Sequence, residues 1–189
     1  MHFVLASSSR RRHDLMNQLG LEFEIVHPDV DETPLPEEDP AGYVFRISQA
    51  KAAAVHREGT VTIAADTTVV LDREIVGKPI DEEHAREILG RISGRTHKVY
   101  TGLTVQSDRG VTTALGDSEV TMAEMSEADI SAYVATGEPM DKAGAYGLQG
   151  IGGQFVRRVE GEPSNVIGLP VHLLRKILGF QGIELLPTQ

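Results

Sequence analysis

The chain contains no cysteine and no tryptophan, and aromatic residues make up only 5% of it. Without cysteine there is no disulfide framework, no thiol nucleophile, no iron–sulfur cluster and no cysteine-ligated zinc. With so few aromatics, a stacking platform for single-stranded nucleic acid is not expected. No stretch approaches the roughly 18 consecutive apolar residues of a membrane span. The opening Met1-His2-Phe3-Val4-Leu5-Ala6 is too short for a signal peptide and lacks its charged start, so a cytoplasmic location is expected. Positive charge is also scarce. Lys plus Arg number 18 against 28 Asp plus Glu, a formal net charge of −10. Such a chain repels a DNA backbone, and any anionic ligand needs a local basic cluster working against the global field.

What remains is ordinary globular composition, with 40% hydrophobic and 24% charged residues over 189 positions. That length suits one large domain or two small lobes sharing a core. Phe3 to Ala6 reads as a short buried strand. A helix follows, with Leu15, Met16 and Leu19 inward and Gly20 as its stop. Glu22 to Val26 is a second strand, and the acidic segment 27–40, with four prolines, reads as an exposed loop. Residues 41–58 form a helix ending near Gly59. Thr62 to Leu71 is β-rich and returns through Ile75-Val76, and Asp81 to Ile92 is helical. Residues 97–107 and 111–122 make a hairpin across Asp108-Arg109-Gly110. Ser126, with Asp129 three residues on, opens a helix through about Thr136 that Gly137 stops. A final helix runs from Pro170 to Gly179, which stands just past its end. Helices and strands alternate and no linker divides the chain. The expectation is one α/β domain over residues 1–189, with a mixed twisted sheet flanked by helices and two lobes around a central cleft.

Three segments carry chemistry. In Leu5-Ala6-Ser7-Ser8-Ser9-Arg10-Arg11-Arg12, a strand runs through a small polar turn into a helix opened by three arginines. Cations at a helix N-terminus oppose the macrodipole, so three in a row suggest an anion bound by backbone N–H groups, hydroxyls and guanidinium forks. The alternative is a solvated helix start. On helix 41–58, Val44, Ser48, Lys51 and Val55 share one stripe, which sets Lys51 beside the apolar face. It either snorkels past the core edge or points into a cleft. Asp66 stands inside an apolar strand, where a carboxylate needs a partner. With Lys78 in the following Gly77-Lys78-Pro79 turn, it suits a metal–phosphate site. Asp31-Glu32 offers a second carboxylate, and two carboxylates with water and phosphate oxygens suit Mg²⁺. Residues 144–153 hold five glycines in a pattern that is neither a P-loop nor a dinucleotide fingerprint. They signal tight turns or a backbone that closely approaches a ligand. The seven histidines show no zinc spacing, and no GxSxG elbow is present.

Together LASSSRRR, RISQAKA (46–52), AADTTVVLD (64–72), GKP (77–79), SGRTHKVYTG (93–102), GEPMDKAGAYGLQGIGG (137–153) and NVIGLP (165–170) resemble the Maf family of nucleotide pyrophosphatases. The resemblance runs in order along nearly the whole chain. It implies an inosine triphosphate pyrophosphatase-like fold and hydrolysis of nucleoside triphosphates to monophosphate and pyrophosphate with a divalent cation, Mg or Mn. By position, Asp66 matches the family's catalytic proton acceptor, and Glu32 a metal or water partner. Both are thus candidate metal ligands. Ser7, Arg12, Lys51 and Lys78 match residues lining the phosphate site. Arg11, Thr67 and Gln149 match three positions that separate substrate branches, in the combination that resembles dTTP/UTP cleavage. The branch acting on 7-methyl-GTP typically carries a bulky aromatic at position 11. Where the family usually has Ser-Pro-Arg-Arg, this chain has Ser9-Arg10-Arg11-Arg12, which restores a backbone N–H and adds a cation. Alternatives are a modified-nucleotide or purine pyrophosphatase, a non-catalytic nucleotide-binding regulator of septum formation, and a basic-arm nucleic-acid binder, which the global acidity disfavours. A homodimer is the default assembly expected.

Overall fold

In the computed structural model, which describes residues 2–185, strand β1 (His2–Ala6) lies between two parallel neighbours, β2 (Phe23–Val26) and β3 (Thr60–Leu71). Phe3 to Ala6 are all buried, as a strand covered on both faces requires. Helix α1 (Arg10–Gln18) buries Leu15 and Met16 against the face formed by Phe3, Leu5 and Ile63. Helix α2 (Pro40–Val55) packs Ala52 and Val55 on the opposite face, against Val4, Ala6 and Ala64. The chain therefore leaves β1 over one face of the sheet and reaches β3 over the other. A crevice opens between the carboxyl ends of such strands, where open α/β sheets hold their ligands.

Beyond β3 the sheet turns antiparallel. A short strand β4 (Glu74–Val76) folds back on the end of β3, and β5 (Thr96–Ser107), β6 (Gly110–Met122) and β7 (Val156–Gly161) complete the order β2-β1-β3-β5-β6-β7. The long strands β3 and β5 serve two cores. Val61, Ile63, Leu103 and Val105 pack with α1 and α6 (Val171–Phe180). Val69, Leu71 and Val99 pack with α3 (Glu82–Ile92) and α4 (Glu127–Val134). These clusters are the two expected lobes, and between them β3 carries Asp66, Thr67 and Thr68.

Several boundaries differ from the sequence reading. Helix α2 starts at Pro40, whose missing N–H is harmless in the first turn, and Asp39 caps it by accepting from the N–H groups of Ala41 and Gly42. It ends at Val55, because His56 is extended, and Gly59 instead makes the turn into β3. Gly179 lies inside α6, and the chain reverses at Gly182 with φ +66. Strand β7, the one-turn helix α5 (Pro163–Ile167) and three 3-10 turns were not anticipated. The helical turns are too short for periodicity to register, and β7 reads VRRVEG, without apolar–polar alternation. Among the described residues no helix is long and apolar enough to cross a membrane.

Candidate active site

The approach of α2 to β5 builds the centre of the site. Gly102 pairs with Asp66 across the sheet, and a Cβ on Gly102 would stand 2.1 Å from the Val44 carbonyl oxygen. Glycine there lets the helix rest on the strand. Ser48 and Thr104 lock the contact with a hydroxyl–hydroxyl bond of 2.9 Å. One turn further along α2, Lys51 meets Asp66, its Nζ donating to Oδ1 at 2.7 Å. The same ammonium lies 2.8 Å from Oε1 of Glu32, which arrives from the proline-rich loop. Lys51 and Asp66 are both buried, while half of the Glu32 side chain is exposed. Two carboxylates thus share one ammonium, leaving a net negative charge at the floor of a cleft.

The second arm comes from β1 and α1. Ser7 closes β1 and accepts from the Ser9 N–H at 3.1 Å and from Arg12 Nη1 at 3.4 Å. It is buried behind the turn rather than on the cleft wall. No side chain caps α1, its first turn holds no acid, and Ser8 to Arg12 line the cleft. Arg12 is held on three sides, with Nε donating to the Gly168 carbonyl at 2.7 Å and Nη2 to Thr67 Oγ1 at 3.1 Å. Withdrawal from solvent lowers its pKa, and the nearby Asp66 carboxylate opposes that effect. Asn165, whose side chain enters the space over Gly116 and donates to the Val99 carbonyl at 3.0 Å, accepts at its backbone carbonyl from the Gly168 N–H at 3.0 Å.

The cavity between the lobes is about 940 Å³ and brings these groups together with Lys78, Arg11 and Gln149. Lys78 and Gln149 are exposed on its walls. Arg11 reaches across the cleft to Asp141 at 3.5 Å. Among the described residues no group of three or more His, Asp or Glu gathers as a metal cage. Asp66 and Glu32 do supply hard oxygen donors with residual negative charge. That set fits a Mg²⁺ or Mn²⁺ ion whose remaining ligands are phosphate oxygens and water.

The sequence model of the family described as Maf-like protein matches residues 2–180. The chain belongs to the Maf-like family. It is 48% identical over 186 residues to the dTTP/UTP pyrophosphatase of Anaeromyxobacter dehalogenans (strain 2CP-C), covering 96% of this chain and 95% of that protein. It is 44% identical over 188 residues to the dTTP/UTP pyrophosphatase of Shewanella denitrificans, covering 94% and 95%. Among solved structures, the Staphylococcus aureus Ham1 protein shares the fold at TM-score 0.52 and 17% identity, over 96% of this chain and 100% of that one.

In this Maf-like chain the site residues read from sequence converge, with two refinements. Ser7 acts from behind, through Ser9 and Arg12. Thr67 faces the cavity, with its hydroxyl accepting from Arg12 Nη2 and bonded to Thr101 Oγ1 at 2.9 Å. Two cavity-lining residues were missed. Tyr43 donates to the Glu32 carbonyl at 3.0 Å, and burial, with Asp66 and Glu32 nearby, raises its pKa to about 12. Glu138 sits beneath the glycine-rich segment. Nothing in the sequence marked it, since a glutamate in a turn is ordinary.

Proposed function

We propose that this Maf-like chain hydrolyses dTTP and UTP to the nucleoside monophosphate and pyrophosphate, as a cytoplasmic guard of the nucleotide pool. The observation that carries the reading is one buried ammonium, Lys51, shared by Asp66 and Glu32 at the floor of a cleft walled by arginines and Lys78. The names of the relatives above give the substrate.

A triphosphate enters with its anionic chain toward the N-terminus of α1. The open N–H groups there, with Arg12 and Lys78, hold the phosphate oxygens and offset charge on the leaving pyrophosphate. Asp66 accepts a proton from the water that attacks the α-phosphorus, and the α–β bridging oxygen leaves with its electron pair. Lys51 holds Asp66 in place through its Nζ–Oδ1 bond, and Glu32 orients the same water from the other side. A bound divalent cation would be held by Asp66 and Glu32, and would supply charge neutralisation between those carboxylates and the phosphate oxygens. The base lies against the glycine-rich segment, where Gln149 reads a pyrimidine edge. The deciding experiment is a nucleotide panel with Mg²⁺ and Mn²⁺ in which both products are identified. dTTP and UTP should yield monophosphate and pyrophosphate. Release of single phosphates, or faster cleavage of GTP derivatives, would overturn the assignment.

A further inference from the structure

The glycine-rich segment has the crowding of a loop wrapped round a ligand, and what it wraps is part of the protein. A Cβ on Gly150 would stand 2.3 Å from Glu138 Oε2, and one on Gly152 would stand 2.3 Å from the Tyr133 hydroxyl. Neither space admits a side chain. The Glu138 carboxylate accepts from the N–H of Ile151 at 2.8 Å, the N–H of Gly152 at 2.9 Å and the Tyr133 hydroxyl at 2.7 Å. Tyr133, buried against Phe155, accepts in turn from the Gly147 N–H at 3.2 Å. Both ends of the stretch 147–152 are therefore fixed to one carboxylate–phenol pair. Between them, Leu148, Gln149 and Gly150 face the cavity.

Resting on the pyrophosphatase reading, we infer that Glu138 is a specificity-positioning residue, which fixes the segment that presents Gln149 to the base. Discrimination by hydrogen bonds needs the reading group held within a fraction of an ångström. Gln149 is exposed and its own segment supplies little apolar anchorage, so the anchor must be polar. Three donors converge on Glu138, and a carboxylate is an acceptor at every one of them. Desolvation works against its charge, but the N–H and hydroxyl donors outweigh it and hold its pKa below the ordinary value. An amide in its place turns one acceptor into a donor that faces other donors. The Lys51 cluster and the Arg12 contacts lie on other elements, while Arg11 meets the Glu138 turn through Asp141 at 3.5 Å.

The test compares wild type, Glu138→Gln and Tyr133→Phe in kcat and KM for dTTP, UTP, CTP, GTP and ATP, with inhibition by pyrophosphate as a probe of the phosphate arm. The variants should show a flattened ranking. The preference for the best pyrimidine over GTP should fall about tenfold in Glu138→Gln and less in Tyr133→Phe, mainly through KM. Pyrophosphate inhibition should stay close to wild type. A general loss of structure would instead move inhibition and every substrate together, and that result overturns the inference. So does an unchanged ranking in both variants. If Glu138→Gln does not fold, Tyr133→Phe, which removes a single hydroxyl, decides alone. Hydrolysis of no nucleotide by the wild type sinks the function itself, whereas hydrolysis with the ranking intact in the variants sinks only the role of Glu138.

Discussion

Lys51 holds two acids 2.7 and 2.8 Å from one nitrogen, and the consequences of removing each member differ. Replacing Lys51 with methionine leaves Asp66 buried without its hydrogen-bonded counter-ion, a break of the kind that destabilises a fold by up to about 3–5 kcal/mol. Replacing Asp66 with asparagine keeps an oxygen for the ammonium to bond and leaves Glu32 as its counter-ion. Asp66→Asn should therefore melt near wild type while kcat falls about 10²–10⁴-fold, the usual contribution of a positioned base. Lys51→Met should lose both activity and several degrees of melting temperature. Calorimetry beside kcat on dTTP separates the two, and near-normal turnover by Asp66→Asn would remove it from the mechanism. These residues were legible because each violates a local expectation: an acid in an apolar strand, a lysine on an apolar stripe. Thr67 and Glu138 violate none. A threonine in a strand and a glutamate in a loop are ordinary, and only the coordinates reveal that one hydroxyl is occupied and one carboxylate gathers three donors.

Glu32 reaches Lys51 because the loop that carries it is fastened to α2. Arg46 grips Glu38 with two bonds of 2.6 Å and donates to the Thr33 carbonyl at 3.1 Å, while Tyr43 holds the Glu32 carbonyl. The Arg46 contacts, with further N–H donation from Leu35, pull the Glu38 pKa down to about 2 from 4.5. A depressed carboxylate contributes stability above its unfolded pKa and loses it as pH falls through the folded value. The clasp is therefore complete at neutral pH and is weakened between about pH 4.5 and 2. One helix thus sets both halves of the centre, Lys51 directly and Glu32 through the loop. Arg46→Ala should raise KM several-fold and lower the affinity for Mn²⁺ measured by calorimetry in the presence of pyrophosphate, with the melting temperature shifted only slightly. Arg46→Lys should recover little, because an ammonium cannot make the paired fork. Wild-type Mn²⁺ affinity in Arg46→Ala would show that the loop holds itself. From sequence, the prolines and acids marked this stretch as a loop, but its attachment was hidden. The pairing of Glu38 with Arg46 spans a loop-to-helix junction that no periodicity describes.

At the scale of the molecule, alternation of strands and helices and the lack of a linker were enough to anticipate a mixed sheet and a cleft. The length of β3 and β5 was legible, but that each serves both lobes was not, because an apolar pattern marks a buried face without saying which core it meets. The continuity places His97, on β5, in the interior at 2% exposure. Its Nε2 meets the Tyr146 hydroxyl at 2.8 Å and its Nδ1 has no hydrogen-bond partner among the described residues. Burial lowers its pKa from 6.5 to about 4. The native state then resists a proton that the unfolded chain accepts readily below pH 6.5. By linkage, stability should fall as pH drops from 6.5 and level off below about 4, with a total loss on the order of 3 kcal/mol from this group. The sign is opposite to that of a histidine stabilised by an acid, whose contribution grows on acidification. Urea unfolding at pH 7, 5.5 and 4.5 measures the slope, and His97→Gln, which can still bond Tyr146 but does not titrate, should flatten it. Because β5 joins the two cores, the loss should appear as one cooperative transition of the whole chain. A slope in His97→Gln equal to that of the wild type would assign the pH dependence to other groups.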